Sequence, residues 1–169
     1  MPDERTAMRR TDRAIEDQSQ IEDLLERGNY FALATSIDDQ PYQHVSLYWF
    51  DASAHRIYFH TARNGRTRSN IEANPRVSAT VAEMGRLLPA KEALEFSVEY
   101  ASVIIFGRAR VVEQMDEARY GLQGLLDKYF PELRPGEHYR PINDDELKRT
   151  TVFALEIEEM SGKRKVAGG

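Results

Sequence analysis

The sequence contains no cysteine, only one tryptophan and no long apolar run. The absence of cysteine excludes a disulfide framework, a thiolate metal site and a cysteine nucleophile. Apolar runs such as Val103–Phe106 are far shorter than the roughly 20 residues that a membrane helix requires. Residues 1–17 are polar and charged and lack the apolar region of a secretory signal. Together these features favour a cytoplasmic protein with no membrane association.

Motifs of common catalytic and nucleotide-binding sites are missing as well. There is no G-x-G-x-x-G, Walker or G-x-S-x-G sequence, which argues against a Rossmann site, a P-loop and a hydrolase nucleophile elbow. No two of the four histidines have the i, i+4 spacing of a helical zinc site, and we predict no metal. The formal net charge is −5, so general binding to nucleic acid is not expected, although a local basic patch could hold one small anion.

The composition is that of an ordinary globular domain, with 41% hydrophobic and 30% charged residues in a chain of 169. Apolar residues that alternate with period two predict strands, and the short turn-rich segments between them indicate antiparallel pairing. We therefore expect one α+β, mainly β domain over residues 1–169, with about six antiparallel strands and flanking helices. The expected N-terminal arm covers 1–17, and a flexible tail covers 163–169.

Local patterns give more specific expectations for individual elements. The sequence Ser19–Glu22 has the form of a capping box, which predicts a helix that starts there. The alternation from Val45 to Trp49 predicts one continuous strand. A glycine and a proline indicate a loop over Glu83–Leu94, and the run Val103–Phe106 is typical of a strand covered on both faces.

The segment Tyr58–Arg68 carries the strongest local indication of a binding site, because a strand pattern passes into a helix pattern at Gly65. Free backbone N–H groups at a helix start attract anions. Arg66 or Arg68 could add a forked, permanently charged contact to a phosphate. The alternative is a solvated basic loop that ends in a helix cap, and the residues by themselves leave both interpretations open.

His60 lies on one face of a predicted strand and could be a metal ligand, a general acid or base, or the polar wall of a pocket. The alternative is a hydrogen-bonded structural side chain. His44, Ser46 and Tyr48 share one face of another predicted strand. They would line the same pocket as His60 if this strand and the strand of His60 were neighbours, and they would otherwise face solvent. The aromatic cluster Tyr48–Phe50 could stack on a planar ring, or it could belong to the core or to a dimer interface.

Several of these segments, taken in order, resemble the FMN-binding split barrels related to pyridoxamine 5'-phosphate oxidase. Within that family they are most similar to the nitroimidazole-resistance (Nim) branch. The family resemblance is carried by Pro41–Leu47, Phe59–Thr61, Gly65–Arg66 and Asn74–Val77. The branch resemblance is carried by Met8–Arg13, Tyr58–Ala62, Tyr100–Ala109 and Glu159–Arg164.

The resemblance implies a six-stranded antiparallel split β-barrel that forms a homodimer with FMN in two clefts at the interface. Its phosphate-holding positions fall on Thr61, Gly65, Arg66 and Thr67, and Thr67 stands where a lysine is usual. The strand whose backbone meets the flavin ring falls on His44, Val45, Ser46 and Leu47. His60 matches a histidine placed near the flavin and the substrate, which implies that it positions the substrate or donates a proton.

The function implied by the resemblance is that of an FMN-dependent oxidoreductase acting on a small electrophilic substrate such as a nitroaromatic. Oxidation of pyridoxamine 5'-phosphate itself is disfavoured, because Trp49 replaces a lysine of the true oxidases and the C-terminus lacks their Arg-x-His element. Two alternatives stay open. One is a non-catalytic flavin carrier or sensor, and the other is a barrel that binds heme or a deazaflavin, with His60, His44 or His138 as axial candidates for heme.

Overall fold

A computed structural model describes residues 4–168, which form a mainly antiparallel β structure with four α-helices. Three short 3₁₀ turns lie at Glu4–Thr6, Thr11–Arg13 and Ala93–Glu95. The strands are β1 (Ala14–Ile15), β2 (Phe31–Ile37), β3 (Gln40–Ser46), β4 (Trp49–Asp51), β5 (Arg56–Ala62), β6 (Arg76–Leu88), β7 (Ser97–Val111) and β8 (Thr150–Lys165). The helices are α1 (Gln18–Arg27), α2 (Arg66–Ala73), α3 (Met115–Tyr129) and α4 (Asp144–Arg149).

All strands belong to one sheet with the order β3-β2-β6-β7-β8-β5-β4, and β1 adds to β8. Every pairing is antiparallel. The prediction of an antiparallel split barrel with flanking helices is confirmed, but the sheet has eight strands rather than six. β1 has only two residues and therefore no periodicity to recognise.

The predicted strand from Val45 to Trp49 is in fact divided into β3 and β4. Between them, the Tyr48 side chain is fully buried, and its hydroxyl donates a hydrogen bond to the backbone oxygen of Leu25 at 2.5 Å. This contact turns the chain inward at the point where an uninterrupted strand would have continued. The prediction of a single strand was wrong because the partner lies 23 residues away in the chain.

The main core fills the inside of the sheet. One cross-strand row joins Leu33 to Ala79 and Ala79 to Ile105, and all three side chains are fully buried. Phe59 and Phe153 lie opposite each other on β5 and β8, with their rings stacked at a centroid distance of 4.8 Å. Such burial of apolar surface is the principal source of stability in the barrel.

Helix α1 closes one side of this core with Ile21, Leu24 and Leu25. Its N-cap is Asp17, whose carboxylate accepts a hydrogen bond from the backbone N–H of Ser19 at 3.0 Å. The prediction of a capping box at Ser19–Glu22 was therefore wrong: Ser19 lies inside the helix, and the N-cap is two residues earlier. Asp17 is itself a favoured capping residue, so the local sequence offers two competing starts.

Helix α3 packs on the outer face of β4, β5 and β8, where it covers a second apolar cluster. The helix approaches closely because Gly121 and Gly124 lack side chains. A Cβ atom at Gly124 would lie 2.1 Å from the Trp49 ring, and one at Gly121 would lie 2.7 Å from Tyr58. Trp49 and Tyr58 stack on each other beneath the helix with a centroid distance of 5.7 Å.

Three further expectations need correction. β6 continues through the predicted loop as far as Leu88, with a register irregularity between Met84 and Leu87. In the run Val103–Phe106, alternate residues are buried, but Ile104 is 42% exposed, so one face is open in the single chain. Residues Lys163–Lys165, which were expected in a flexible tail, pair with β7 as part of β8. None of the helices in residues 4–168 is long and apolar enough to cross a membrane.

Candidate functional site

The candidate site begins at β3, the strand at one end of the sheet. Among residues 4–168, β3 pairs with β2 and has no strand partner along its other edge. Val45 and Leu47 are 61% and 47% exposed, although both are large and apolar. An unpaired strand edge presents backbone N–H and C=O groups that can bond to a ligand or to another chain.

The second part of the site is the start of α2, which follows β5 after a three-residue turn. Gly65 is the N-cap and provides no side-chain hydrogen bond to the helix. The first backbone N–H groups of α2 therefore have no capping side chain, and they lie at the positive end of the helix dipole. A Cβ atom placed on Gly65 would meet nothing within 4 Å, so this end of the helix is open to approach.

Arg66 links the two parts. Its guanidinium lies over the ring of Tyr42 on β3, 4.6 Å from the ring centroid. Within the described part of the chain it makes no hydrogen bond or ion pair, so its donors are available to an anion. The stacking holds the guanidinium in place while leaving the planar fork unused, an arrangement suited to a phosphate or a carboxylate.

Arg68, the other arginine that the sequence suggested for an anion, is engaged within the protein. Its Nε donates to Glu72 at 2.8 Å, while its Nη1 donates to the backbone oxygen of Arg63 at 3.0 Å. Arg68 is thus occupied in holding the turn between β5 and α2. Of the two arginines considered for an anion, Arg66 is the one whose charge is unpaired.

The other predicted phosphate positions contribute less through their side chains. Thr67 is buried, so at an anion site it would offer its backbone N–H and not its hydroxyl. The Thr61 hydroxyl donates to the backbone oxygen of Ala62 at 2.8 Å. Any contact to an anion from Thr61 therefore requires this local hydrogen bond to be exchanged.

The two histidines of the predicted site lie on different faces of the sheet. His44 is directly opposite Leu33 and faces the barrel interior, whereas His60 is opposite Val152 on the outer face. β3 and β5 are not paired, so sheet pairing does not bring His44, Ser46 and His60 together. Desolvation lowers the pKa of both His44 and His60, which favours neutral imidazoles with one donor and one acceptor each.

The aromatic cluster Tyr48–Phe50 serves the core. Tyr48 and Phe50 are buried, and Trp49 packs between Tyr58 and α3. It is therefore not available as a platform for a planar ligand. In residues 4–168 no group of three or more His, Asp or Glu side chains is arranged to hold a metal ion.

Two features of the site were not predicted from the sequence. One is Tyr42, which positions Arg66. The other is the buried hydrogen bond from Asn70 Nδ2 to Thr35 Oγ1 at 2.8 Å, which ties α2 to β2. Tyr42 could have been found from the alternation, because it shares a strand face with His44 and Ser46. The Asn70–Thr35 pair had no such indication, because its members lie 35 residues apart.

The open strand edge and the uncapped helix start stand in an antiparallel split barrel, and this architecture is shared with known proteins. The model of the pyridoxamine 5'-phosphate oxidase family matches residues 17–164, so the chain belongs to this family. No curated protein gives a significant match to the sequence.

Solved structures with the same fold include three whose sequences are distant from this chain. The flavocytochrome Anf3 from Azotobacter vinelandii has a TM-score of 0.83 at 23% identity, covering 98% of this chain and 76% of its own. A candidate 5-nitroimidazole antibiotic resistance protein from Bacteroides thetaiotaomicron has a TM-score of 0.75 at 18% identity, with coverages of 89% and 86%. A FAD- and heme-binding protein from Mycobacterium smegmatis has a TM-score of 0.78 at 20% identity, with coverages of 90% and 73%.

Proposed function

We propose that the protein is an FMN-binding flavoprotein that works in the cytoplasm as an oxidoreductase on a small electrophilic substrate of the nitroaromatic type. The observation that carries the proposal is the unpaired Arg66 guanidinium beside the uncapped start of α2, next to the open edge of β3. Membership of the pyridoxamine 5'-phosphate oxidase family supports it. So do the names of the structural neighbours, which mention flavin, heme and nitroimidazole.

The residues present fit the two polar ends of FMN. Arg66 would bind the phosphate with a forked contact, and the backbone N–H groups of Gly65, Arg66 and Thr67 would add hydrogen bonds. At the free edge of β3 and just beyond its end, backbone groups of Val45, Ser46 and Leu47 would meet the polar edge of the flavin ring. His44 would contribute a neutral imidazole from the inner face.

The bound flavin would supply the electron transfer, and the protein would supply binding, orientation and local electrostatics. His60 is the side chain to which we assign the contact with the substrate. Because its pKa is lowered, its imidazole is neutral at pH 7 and can donate a hydrogen bond to an electronegative atom of the substrate. We therefore assign His60 to positioning the substrate; donating a proton, the other role that the resemblance implies, would require the minor imidazolium form.

A second copy of the chain would complete the site. One cross-strand row on the outer face runs from Val45 through Ala32 and Thr80 to Ile104. It combines two exposed apolar residues with two small ones. Such a surface allows close contact between two sheets, and it begins at the strand that would hold the flavin. This supports a homodimer with FMN at the interface.

The second candidate is a barrel that holds FAD together with heme. It is favoured by two structural neighbours, one named as a FAD- and heme-binding protein and the other as a flavocytochrome. His60 and His44 would then be the axial candidates. His138 is less suited, because its Nδ1 accepts a hydrogen bond from the backbone N–H of Arg134 at 3.1 Å.

The test is the visible spectrum of the purified protein, followed by chromatography of the cofactor released on denaturation. The proposal predicts an oxidised-flavin spectrum and FMN in the extract. A Soret band or FAD would favour the second candidate. A colourless protein that failed to take up added FMN would refute the proposal, and failure to take up added FAD and heme as well would refute the second candidate. Reduction of a nitroaromatic with a nicotinamide donor then separates an enzyme from a flavin carrier, because the carrier would hold FMN without turnover.

A further inference from the structure

A separate cavity lies on the outer side of the sheet, between the start of β8 and helices α3 and α4. Its volume is about 320 Å³, within the range of small-ligand pockets. The floor is apolar and is formed by side chains that are almost fully buried, namely Val112, Ala118, Leu147 and Val152. A ligand that entered the cavity would therefore bury an apolar body against this floor.

The rim of the same cavity is basic. Arg63, Arg68 and Lys148 line it together with Glu113, but Arg68 is paired with Glu72 and Lys148 with Asp145, so Arg63 is the lining cation without a carboxylate partner in residues 4–168. The Arg63 guanidinium thus places an unpaired positive charge at the opening, which favours an anion over a cation.

Hydrogen bonds hold the rim in place without neutralising Arg63. The Arg63 guanidinium donates to the backbone oxygen of Lys148, and its own backbone oxygen accepts from Arg68 Nη1 and from Thr151 Oγ1, both at 3.0 Å. No carboxylate pairs with the Arg63 guanidinium in the described part of the chain. Its charge is therefore fixed at the opening and is available to a ligand.

We propose that this cavity binds a small organic carboxylate with an apolar body. The carboxylate would bind Arg63 at the rim, and the body would lie on the floor between Leu147 and Val152. Glu113 favours a single negative charge on the ligand, because it would repel a second one. The proposal does not depend on which cofactor the open edge of β3 holds.

The cavity also adjoins the strand of the candidate reactive histidine. Val152 lines the floor, and it lies directly opposite His60 in the pairing of β5 with β8. A carboxylate bound here would lie beside β5. Its binding is therefore expected to shift the backbone NMR signals of β5 as well as those of α3 and α4.

The test is calorimetric titration of the purified protein, with whatever cofactor it carries, using octanoate and its neutral analogue octanamide. We expect saturable binding of one octanoate, about tenfold tighter than octanamide. Arg63→Gln should remove this preference. Arg149→Gln is the matched control. This substitution removes the same charge from the end of α4, and Arg149 does not line the cavity.

A second variant tests the apolar floor. Ala118→Leu fills the cavity from α3 without changing its charge, and it should weaken octanoate and octanamide alike, provided that the melting temperature shows a folded protein. Equal affinity for octanoate and octanamide, or an effect of Arg63→Gln no larger than that of Arg149→Gln, would overturn the proposal. Tighter binding of octyl phosphate than of octanoate would overturn the assignment to a carboxylate.

Discussion

The closed wall of the barrel, formed by β5, β6, β7 and β8, differs sharply from the open edge, formed by β3 and the start of α2. In the wall, every strand has a neighbour on both sides, and inner side chains such as Phe153 and Leu155 are completely buried. At the edge, β3 has one neighbour, two large apolar side chains are exposed, and the Arg66 charge is unpaired. The difference suggests that stability resides in the wall and ligand binding at the edge.

The largest effect should come from creating a cavity in the wall. Phe153→Ala removes a ring stacked on Phe59, and we expect the free energy of unfolding to fall by about 3–5 kcal/mol. Val45→Ala at the edge should change it by no more than about 0.5 kcal/mol, because that side chain is mostly exposed. Denaturant titration of both variants measures the contrast, and equal losses would show that the edge is as integral to the fold as the wall.

Lys128 on α3 lies near the junction of wall and edge, and its effect should depend on pH. Its buried ammonium lies 3.7 Å from the centre of the Tyr48 ring without a hydrogen-bond partner in residues 4–168, and desolvation lowers the pKa of Lys128 to about 8. Because the unfolded chain binds this proton more tightly, stability should rise between about pH 8 and the ordinary lysine pKa of 10.5.

Comparison with Lys128→Met isolates this contribution. Relative to the variant, the wild-type protein should gain about 1–2 kcal/mol as the pH increases through that window, after allowance for solvent screening. Thermal unfolding at several pH values provides the measurement. A difference between the two proteins that stays constant with pH would mean that the ammonium is not desolvated.

Val45→Asp tests whether a second copy covers the outer row at the edge. A carboxylate in an apolar dimer interface should raise the dimer dissociation constant about tenfold and weaken flavin binding with it. Leu94→Asp is the matched control, because Leu94 is 95% exposed and lies outside the row. Light scattering that showed the same effect for both variants would argue against an interface centred on β3.

The smallest expected effect concerns His60, on the outer face of the wall. Because desolvation lowers its pKa, the imidazole should titrate below the ordinary value of 6.5. An NMR titration, with the signal assigned by its loss in His60→Gln, should show this displacement. If His60 acts as the neutral species, activity should decline as the pH falls through its pKa; activity insensitive to that ionisation would remove the proposed role.

Several elements could be predicted from the sequence because their patterns are local. The passage from β5 into α2 is one, since strand alternation is followed by Gly65 and closed by Asn74-Pro75, and α2 ends at Ala73 as that pattern indicates. The presence of α1 is another, since a helix starting near Ser19 was predicted and α1 begins at Gln18. In both cases neighbouring residues determine the structure without help from distant parts of the chain.

Other features depended on contacts between distant residues. The break between β3 and β4 follows from the hydrogen bond of Tyr48 to α1, and the choice between Arg66 and Arg68 follows from the contacts of Arg68 with Glu72 and Arg63. The cavity beneath Arg63 is similar, because its lining comes from three separated stretches of the chain, residues 63–68, 111–118 and 147–152. No sequence pattern indicates which of these pairs meet.

The central claim is that Arg66 and the start of α2 hold the phosphate of FMN. Calorimetric titration of the cofactor-free protein with FMN and with riboflavin tests it directly, because the two ligands differ by the phosphate alone. The wild-type protein should bind FMN at least about tenfold more tightly than riboflavin, and Arg66→Ala should abolish most of this preference while leaving riboflavin affinity unchanged. Arg134→Ala, which removes the same charge from a residue outside β3 and α2, is the control and should leave the preference unchanged. Equal affinity of the wild-type protein for the two flavins, or a preference for FMN that survives Arg66→Ala, would contradict the account.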